Sequence, residues 1–246
     1  LQESGQSKNT IVLFLSDHGM AWDLSKWSLY PSGVRSPLII RWPARIKPGI
    51  VLNQAVVSVV DLAPSIADFC EVPPMNGVDG RSFKCLLIGS LEKWRRTQAF
   101  SCFNYMNNEA TIDQSIRSFS LDLADKFDQY RPSRALNNPH FSYVWNGWSN
   151  EVNQLPSTML GEYHGILSKV IENTKNQKNQ KFLERKLFIE FRCPEELYNL
   201  KQDPSCQNNL ANDPNYSDRL NESRGLMKTI LSTTKDHELE NFLNFI

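Results

Sequence analysis

The chain has 246 residues, and its 27 Lys and Arg balance 27 Asp and Glu, so the formal net charge is zero. With 40% hydrophobic and 11% aromatic residues it can bury a core, which excludes a disordered chain. The balanced charge argues neither for nor against a nucleic-acid partner, and we expect none. No window approaches 18 apolar residues, so no transmembrane segment is predicted. The polar first residues predict no signal peptide, which would say nothing about export if the chain is a fragment.

The first clear pattern lies in residues 10–19. An uninterrupted apolar run, Ile11 to Leu15, stops at an Asp-His-Gly turn. Such a run predicts a strand buried on both faces of a parallel sheet, and ligands of α/β sheets bind beyond the carboxyl ends of strands. A carboxylate and an imidazole on adjacent residues predict a divalent-metal site at Asp17 and His18. Lys26 offers a positive charge to an anionic substrate group. The alternative interpretation of the Asp-His-Gly turn is a strand end that forms hydrogen bonds only within its own turn.

The elements that follow predict more sheet and one helix. Residues 37–42 predict a second strand closed by Pro43, and residues 53–60 predict a third. Asp61 is predicted to cap a helix that carries Pro64 in its first turn.

The character of the chain changes around residues 89–97, and we place a domain boundary between residues 97 and 98. Downstream, residues 99–105 are predicted to form a strand that returns to the first sheet. Strands at residues 141–145 and 187–192 are consistent with a small antiparallel sheet, and a final helix is predicted at 217–233. Residues 159–186 are helical in outline. The lysines of this segment could attract a polyanionic glycan or form an ordinary solvated face (Lys169, Lys175, Lys178, Lys181, Lys186).

The five cysteines contain no Cys-x-x-Cys pair and no zinc spacing. A disulfide between Cys193 and Cys206 in an oxidising compartment and two separate thiols remain alternatives. Asn215 and Asn221 begin Asn-x-Ser sequons, which have meaning only in an exported eukaryotic protein.

A series of motifs runs through the chain in a fixed order. These are Ser-Asp-His-Gly, Leu-Tyr-Pro-Ser-Gly-Val-Arg-Ser-Pro-Leu-Ile-Ile-Arg-Trp-Pro, Asp-Leu-Ala-Pro-Ser, Asp-Gly-Arg-Ser-Phe, and Glu-Leu-Tyr-Asn-Leu followed by Asp203-Pro204. The series resembles the C-terminal half of the formylglycine-dependent sulfatases of the alkaline phosphatase superfamily. The short interval from Asp17 to Lys26 is most similar to the heparan N-sulfatase (sulfamidase) subgroup, as are residues 133–135 and 141–149. The resemblance is specific in the first third and loose at residues 98–130.

The resemblance implies an α/β fold. Residues 1–97 would form the C-terminal part of the alkaline-phosphatase-like sandwich, with a mostly parallel central sheet. Residues 98–246 would form a smaller subdomain with an antiparallel sheet and a helix.

The resemblance also implies roles for three residues. Asp17 and His18 would be two ligands of a Ca²⁺ ion, with Mn²⁺ or Mg²⁺ as weaker candidates, and Lys26 would be the catalytic contact to the sulfate. The family's sulfamidases often have arginine here; lysine keeps the charge but loses the bidentate fork, which leaves O-sulfated sugars open. Pro31-Ser32 also departs from the usual Glu-Gly.

The family's nucleophile is expected to be absent from this chain. The formylglycine and an Asp-Asp metal pair precede the Asp-His-Gly turn in the family. Tyr130 heads a sequence that imitates the Cys/Ser-x-Pro-Ser-Arg motif, but tyrosine cannot become formylglycine. We therefore expect the chain to be inactive alone and to need the N-terminal half of the same domain as a partner.

The expected activity of the parent protein is hydrolysis of a sulfate ester or sulfamate on a sulfated glycan such as a glycosaminoglycan. The alternatives are a phosphodiesterase or phosphonate monoester hydrolase of the same superfamily, and a non-catalytic glycan-binding relative. The expected location is extracytoplasmic: lysosomal or secreted in a eukaryote, periplasmic in a bacterium. A homodimer stays open.

Overall fold

The structure is a computed structural model that describes residues 1–20, 24–26, 28–74, 76–105, 131–149, 153–154, 180, 184 and 191–246. The predictions for residues 106–130, for the lysine-rich segment and for most of the strand at 187–192 lie outside the described residues.

Strands and helices alternate up to residue 98, and most of the strands lie between residues 99 and 199. The strands are β1 (Val12–Leu15), β2 (Leu38–Arg41), β3 (Ala99–Tyr105), β4 (Arg131–Asn137), β5 (Phe141–Asn146), β6 (Asn153–Gln154), β7 (Phe191–Arg192) and β8 (Glu195–Asn199). Within the described residues, the helices are α1 (Pro31–Val34), α2 (Leu62–Phe69), α3 (Lys84–Leu87), α4 (Ser217–Thr234) and α5 (Leu239–Phe245). Short 3₁₀ turns occupy Val59–Asp61, Leu91–Lys93 and Pro214–Tyr216.

The chain forms two compact units. The first unit contains Leu1–His18, Arg35–Phe100 and Asn137–Pro139, and the second contains Gly19–Val34, Ser101–Leu136 and His140–Ile246. The division at residues 97 and 98 stays a prediction. The second unit additionally takes in the early segment Gly19–Val34, which places Lys26 in a different unit from Asp17 and His18.

In the first unit, β1 and β2 pair antiparallel, with Phe14 opposite Ile39 and Leu13 opposite Ile40. One face of this pair packs on an apolar core centred on Phe69, Phe83 and Leu86, to which Ile40 contributes. On the other face, the side chains of Phe14 and Ile39 are 61% and 60% exposed. The expectation that this strand is buried on both faces of a parallel sheet is therefore wrong for the pairing seen here.

The third predicted strand, at residues 53–60, is also wrong. Its backbone groups bond side chains instead of a neighbouring strand: Val56 O accepts from Trp94 Nε1 at 3.0 Å, and Ser58 N donates to Asp61 Oδ2 at 2.9 Å. The segment then enters the 3₁₀ turn that leads to α2. Asp61 directly precedes α2 as predicted, but its side chain makes no capping hydrogen bond to that helix.

The second unit contains a four-stranded sheet in the order β3-β4-β5-β8, and β5 pairs antiparallel with β8. Helix α4 presents a buried face whose members recur every three or four residues (Leu220, Ser223, Met227, Leu231). The α/β class and the antiparallel sheet with its helix are thus confirmed.

A buried ion pair ties this sheet to the end of the chain. Arg134 on β4 is 1% exposed, and its Nε and Nη2 donate to the two carboxylate oxygens of Asp236, each at 2.8 Å. A bidentate pair of this kind fixes both position and orientation. Within the described residues, no helix is long and apolar enough to cross a membrane.

Candidate active site

The Asp17–His18 turn follows directly after β1. His18 N donates to Asp17 Oδ1 at 3.0 Å, and His18 Nε2 lies 3.5 Å from Asp17 Oδ2. Ser16 Oγ donates to His18 O at 2.7 Å, which fixes the backbone of the turn. The Asp17 side chain is 83% exposed and that of His18 is 42% exposed. A carboxylate and an imidazole are thus adjacent and accessible.

This pair fits part of a metal site. Ca²⁺ takes about six to eight oxygen ligands, so the Asp17 carboxylate is a typical ligand for it, whereas the His18 imidazole nitrogen is more typical of a transition-metal site. Across the part of the chain that the structure describes, no group of three or more His, Cys, Asp and Glu side chains is placed to hold a metal. Asp17 and His18 alone supply two side-chain donors to such a site. The local hydrogen bonds of the turn also fit the alternative of a strand end bonded to itself, so the metal site stays a prediction.

Lys26 lies on the segment Gly19–Val34, which is held by bonds across itself. Lys26 N donates to Met20 O at 3.0 Å, and Gly19 N donates to Gly33 O at 2.8 Å. Ser25 Oγ donates to Ser32 O at 2.6 Å, and Ser32 Oγ donates in turn to Leu24 O. Ser32, which departs from the family pattern, thus supports the turn that carries Lys26.

Gly19 has a steric role in this segment. A Cβ added at Gly19 would lie 1.8 Å from Ser32 O, and one at Gly33 would lie 2.2 Å from Ser25 O. Both neighbours are backbone atoms, so neither can move aside as a side chain would. The glycine of the Asp-His-Gly turn is required because the backbone at residue 19 approaches the backbone at Ser32 too closely for a side chain.

A buried carboxylate anchors the same segment from the far end of the sequence. Tyr30 Oη donates to Glu196 Oε2 at 2.5 Å, and Tyr198 Oη donates to the same oxygen at 2.6 Å. Asn146 Nδ2 donates to Glu196 Oε1 at 2.8 Å. Burial, with the nearby Glu196 charge, raises the pKa of Tyr30 and of Tyr198, so both hydroxyls stay protonated donors.

Tyr30 and Glu196 each lie in a motif of the sequence, but the motifs do not predict this contact. Tyr30 and Glu196 are 166 residues apart, and no local pattern links them. The available signal was the alternation of β8, where Glu196 and Tyr198 share one face of a strand whose centre is buried.

The two cysteines near this anchor carry free thiols, so the disulfide alternative is not what the structure has. Cys193 Sγ instead accepts from Asn209 Nδ2 at 3.3 Å, and burial raises the pKa of Cys193 to about 11. Cys206 is buried in the core of the second unit.

Asp61 forms the hydrogen-bonding centre of the first unit and has no exposed surface. Its Oδ1 accepts from Arg81 N at 2.9 Å and from Arg96 Nη2 at 2.6 Å. This carboxylate joins α2 to two later segments, which gives the Asp-Leu-Ala-Pro-Ser motif a structural role.

Comparison with known proteins agrees with this fold and these motifs. Residues 1–72, which include Asp17, His18 and Lys26, match the family model described as Sulfatase. An ulvan-active sulfatase of Formosa agariphila is 28% identical over 91% of the chain, which covers 33% of that protein. Human N-sulphoglucosamine sulphohydrolase is 25% identical over 89% of the chain and is covered to 41%.

Solved structures agree on the fold. A 2-O glycosaminoglycan sulfatase superimposes with a TM-score of 0.60 at 20% identity, over 93% of this chain and 37% of that one. A phosphonate monoester hydrolase from Silicibacter pomeroyi gives 0.59 at 21% identity, over 97% and 38%. The chain thus shares the fold of the part of these hydrolase structures that it covers. It is similar to the C-terminal portion of the sulfatases, whose family model matches residues 1–72, and it spans about a third of the length of the first curated relatives.

Proposed function

We propose that the protein to which this sequence belongs hydrolyses a sulfate ester or a sulfamate on a sulfated glycan. The proposal is supported by the family match across residues 1–72 and by relatives whose names specify ulvan and N-sulphoglucosamine. The observation that carries it is the accessible Asp17–His18 pair at the end of β1, followed in sequence by the braced segment that presents Lys26.

Each of the three residues has a defined role in this proposal. The Asp17 carboxylate and the His18 imidazole supply two ligands to a divalent metal, which we take to be Ca²⁺. Such a metal, when bound, supplies Lewis-acid polarisation of a sulfate oxygen. Lys26 places a positive charge against the sulfate and stabilises the charge that develops as the S–O or S–N bond breaks. The nucleophile, which the resemblance identifies as formylglycine, would come from the N-terminal half of the domain.

The test is a set of kinetic measurements on the parent protein with sulfated monosaccharides. Replacing Lys26 by Ala should lower kcat/KM by about 10²–10³, the usual effect of removing one group that stabilises transition-state charge. Lys47→Ala, which removes an exposed lysine of the first unit, is the matched control and should leave the rate unchanged. Equal rates for the two variants would refute the role of Lys26.

Metal dependence is tested on the same protein. Asp17→Asn and His18→Gln should each weaken Ca²⁺ binding, measured by calorimetry, and should raise the Ca²⁺ concentration needed for half-maximal activity. An unchanged metal requirement in both variants would support the alternative in which the turn only closes the strand.

A second candidate function is hydrolysis of a phosphate diester or a phosphonate monoester. The likeness to the phosphonate monoester hydrolase concerns the fold alone, so the candidate depends on the shared site chemistry. Turnover of a phenyl phosphonate ester that exceeds turnover of any sulfated sugar, with Mn²⁺ or Zn²⁺ preferred over Ca²⁺, would favour it. Glycan binding without turnover of either substrate would favour a non-catalytic relative.

The remaining expectations are proposals of the same kind. We place the parent protein outside the cytoplasm, in a lysosome, a secreted fluid or a periplasm, where glycosaminoglycan substrates occur. Immunolocalisation in the source cell tests this location. Sedimentation of the chain alone and of the chain with the N-terminal half distinguishes a homodimer from a complemented domain.

A further inference from the structure

The segment Gly19–Val34 packs in the second unit by two kinds of contact. Leu24, Leu29 and Tyr30 are buried in an apolar cluster that includes Tyr198. In addition, the Tyr30 hydroxyl donates a hydrogen bond to the carboxylate of Glu196. An apolar cluster alone permits small shifts of its members, whereas a short charge-assisted hydrogen bond fixes a position.

Glu196 is suited to this task because its carboxylate is itself held in place. It is 1% exposed, and the Asn146 amide orients one oxygen while the Tyr198 hydroxyl shares the other with Tyr30. Strand β8 around it is paired residue by residue with β5. The Arg192 guanidinium lies over the face of the Tyr30 ring, 5.6 Å from its centre, and adds a cation–π contact.

We propose that Glu196 is a positioning residue for Lys26, acting through the hydroxyl of Tyr30. The inference rests on the proposed function for its catalytic consequence, but its structural part stands without it. Tyr30 lies four residues after Lys26, and Gly33 N and Val34 N both donate to Tyr30 O at 2.8 and 3.1 Å. The Glu196 carboxylate therefore fixes Tyr30, near the C-terminal end of the segment. The bond from Gly19 N to Gly33 O joins that end to the start of the segment. A shift of the Tyr30 ring would move the backbone that carries the lysine.

The chain provides a matched control for this proposal. Tyr143 Oη donates to Glu195 Oε1 at 2.7 Å, so the buried Tyr143 and the partly buried Glu195 form a second tyrosine–carboxylate pair in the same sheet. That pair joins β5 to β8 and to Arg224 of α4. Tyr30→Phe and Tyr143→Phe each remove one buried hydroxyl that donates to a glutamate, but only the first removes it from the Lys26 segment.

The first experiment is amide hydrogen exchange on the full chain. Tyr30→Phe should raise the exchange rate of the backbone amides of residues 26, 33 and 34 roughly tenfold or more, the factor expected for losing one charge-assisted bond. Tyr143→Phe should leave those amides within about twofold of the unsubstituted chain. The inference is overturned if both variants change these amides equally, or if neither changes them.

The second experiment measures kinetics in the parent protein and separates positioning from stability. Glu196→Gln keeps the shape and one acceptor oxygen, whereas Glu196→Ala loses the anchor. We expect Tyr30→Phe and Glu196→Ala to lower kcat about tenfold or more with little change in KM, and Glu196→Gln to recover part of that loss. A purely structural role predicts that kcat per folded molecule is equal in all variants, which would overturn the proposal. If the parent protein hydrolyses no sulfated substrate, the proposed function fails, while the exchange experiment still decides whether Glu196 positions the segment.

Discussion

At Gly19, the backbone of the Asp-His-Gly turn passes so close to Ser32 that no side chain fits between them. We predict that Gly19→Ala destabilises the chain by about 1–3 kcal/mol or more, because the added methyl group meets a carbonyl oxygen that the turn cannot move. Urea denaturation measures the change. Gly225→Ala is the control, because Gly225 lies in α4 with open space around it, and it should stabilise the chain by about 0.5–1 kcal/mol. Equal effects of the two substitutions would contradict the close approach.

Asp236 carries a pH-dependent part of the stability. Burial alone would raise the pKa of Asp236, but the hydrogen bonds from Arg134 and from Glu238 N outweigh it and hold that pKa below its ordinary value. A carboxyl group with a depressed folded pKa stabilises the fold fully above its unfolded pKa of about 3.9. That stability is lost as the pH falls through the folded pKa.

The prediction concerns the pH profile of unfolding. Asp236→Asn should cost about 3–5 kcal/mol at neutral pH, because Arg134 is left buried without its charge partner. The variant should also lose less stability than the unsubstituted chain between about pH 5 and pH 3, since it has no such proton to bind. Urea denaturation at a series of pH values measures both. Asp79→Asn, at an exposed aspartate, should keep the original profile; a shared profile of all three proteins would refute the assignment.

At the scale of elements, the β1–β2 pair has one face in a core and one face open. The open face carries Phe14 directly opposite Ile39. Exposed apolar strands of this kind promote self-association. We predict that Phe14→Lys lowers light scattering of concentrated solutions and changes the free energy of unfolding by no more than about 0.5 kcal/mol. Ile40→Lys, on the opposite face, should instead destabilise the first unit, because Ile40 packs on its core. Loss of stability in Phe14→Lys would show that this face is packed in solution.

The hydrophobic pattern of the sequence predicted where strands and helices lie better than it predicted which of their faces are buried. The apolar run of β1, the strand before Pro43 and the spacing of buried residues in α4 all depend on local periodicity, and the structure has each of them. The exposure of Phe14 depends on which segments cover it, which periodicity does not specify. The strand predicted at residues 53–60 failed because Trp94 and Asp61 supply its hydrogen-bond partners from their side chains.

The residues of the candidate site likewise include some that a local motif predicts and some that it does not. Asp17, His18 and Lys26 were identified from a motif and its spacing, and their metal and sulfate roles stay predictions. The structural roles of Glu196 and Arg134 could not be predicted from a motif. Each is a charged residue at a buried strand position, and its partner lies 166 residues away for Glu196 and 102 residues away for Arg134. A hydrophobic pattern would place such residues at the surface.

At the scale of the whole molecule, each unit has its own apolar core, and the last helix contributes to the second. Phe242 on α5 has no exposed surface, and its ring packs edge-on against Trp145 of β5 with centroids 5.0 Å apart. Trp145 is itself 1% exposed. The end of the chain therefore helps to shield the sheet that holds Glu196 and the Lys26 segment.

This arrangement predicts a long-range effect of a substitution near the C-terminus. Phe242→Ala should cost about 3–5 kcal/mol, because the cavity opens beside a buried tryptophan and the removed ring leaves the core. Leu243→Ala, at a neighbouring side chain that is 41% exposed, is the control and should cost well under about 2 kcal/mol. Urea denaturation gives the stability, and hydrogen exchange shows where it is lost. If the second unit opens cooperatively, the amides of β5 and β8 in Phe242→Ala exchange faster together with those of residues 33 and 34. Faster exchange confined to α5 would mean that the last helix frays alone and that the sheet does not depend on it.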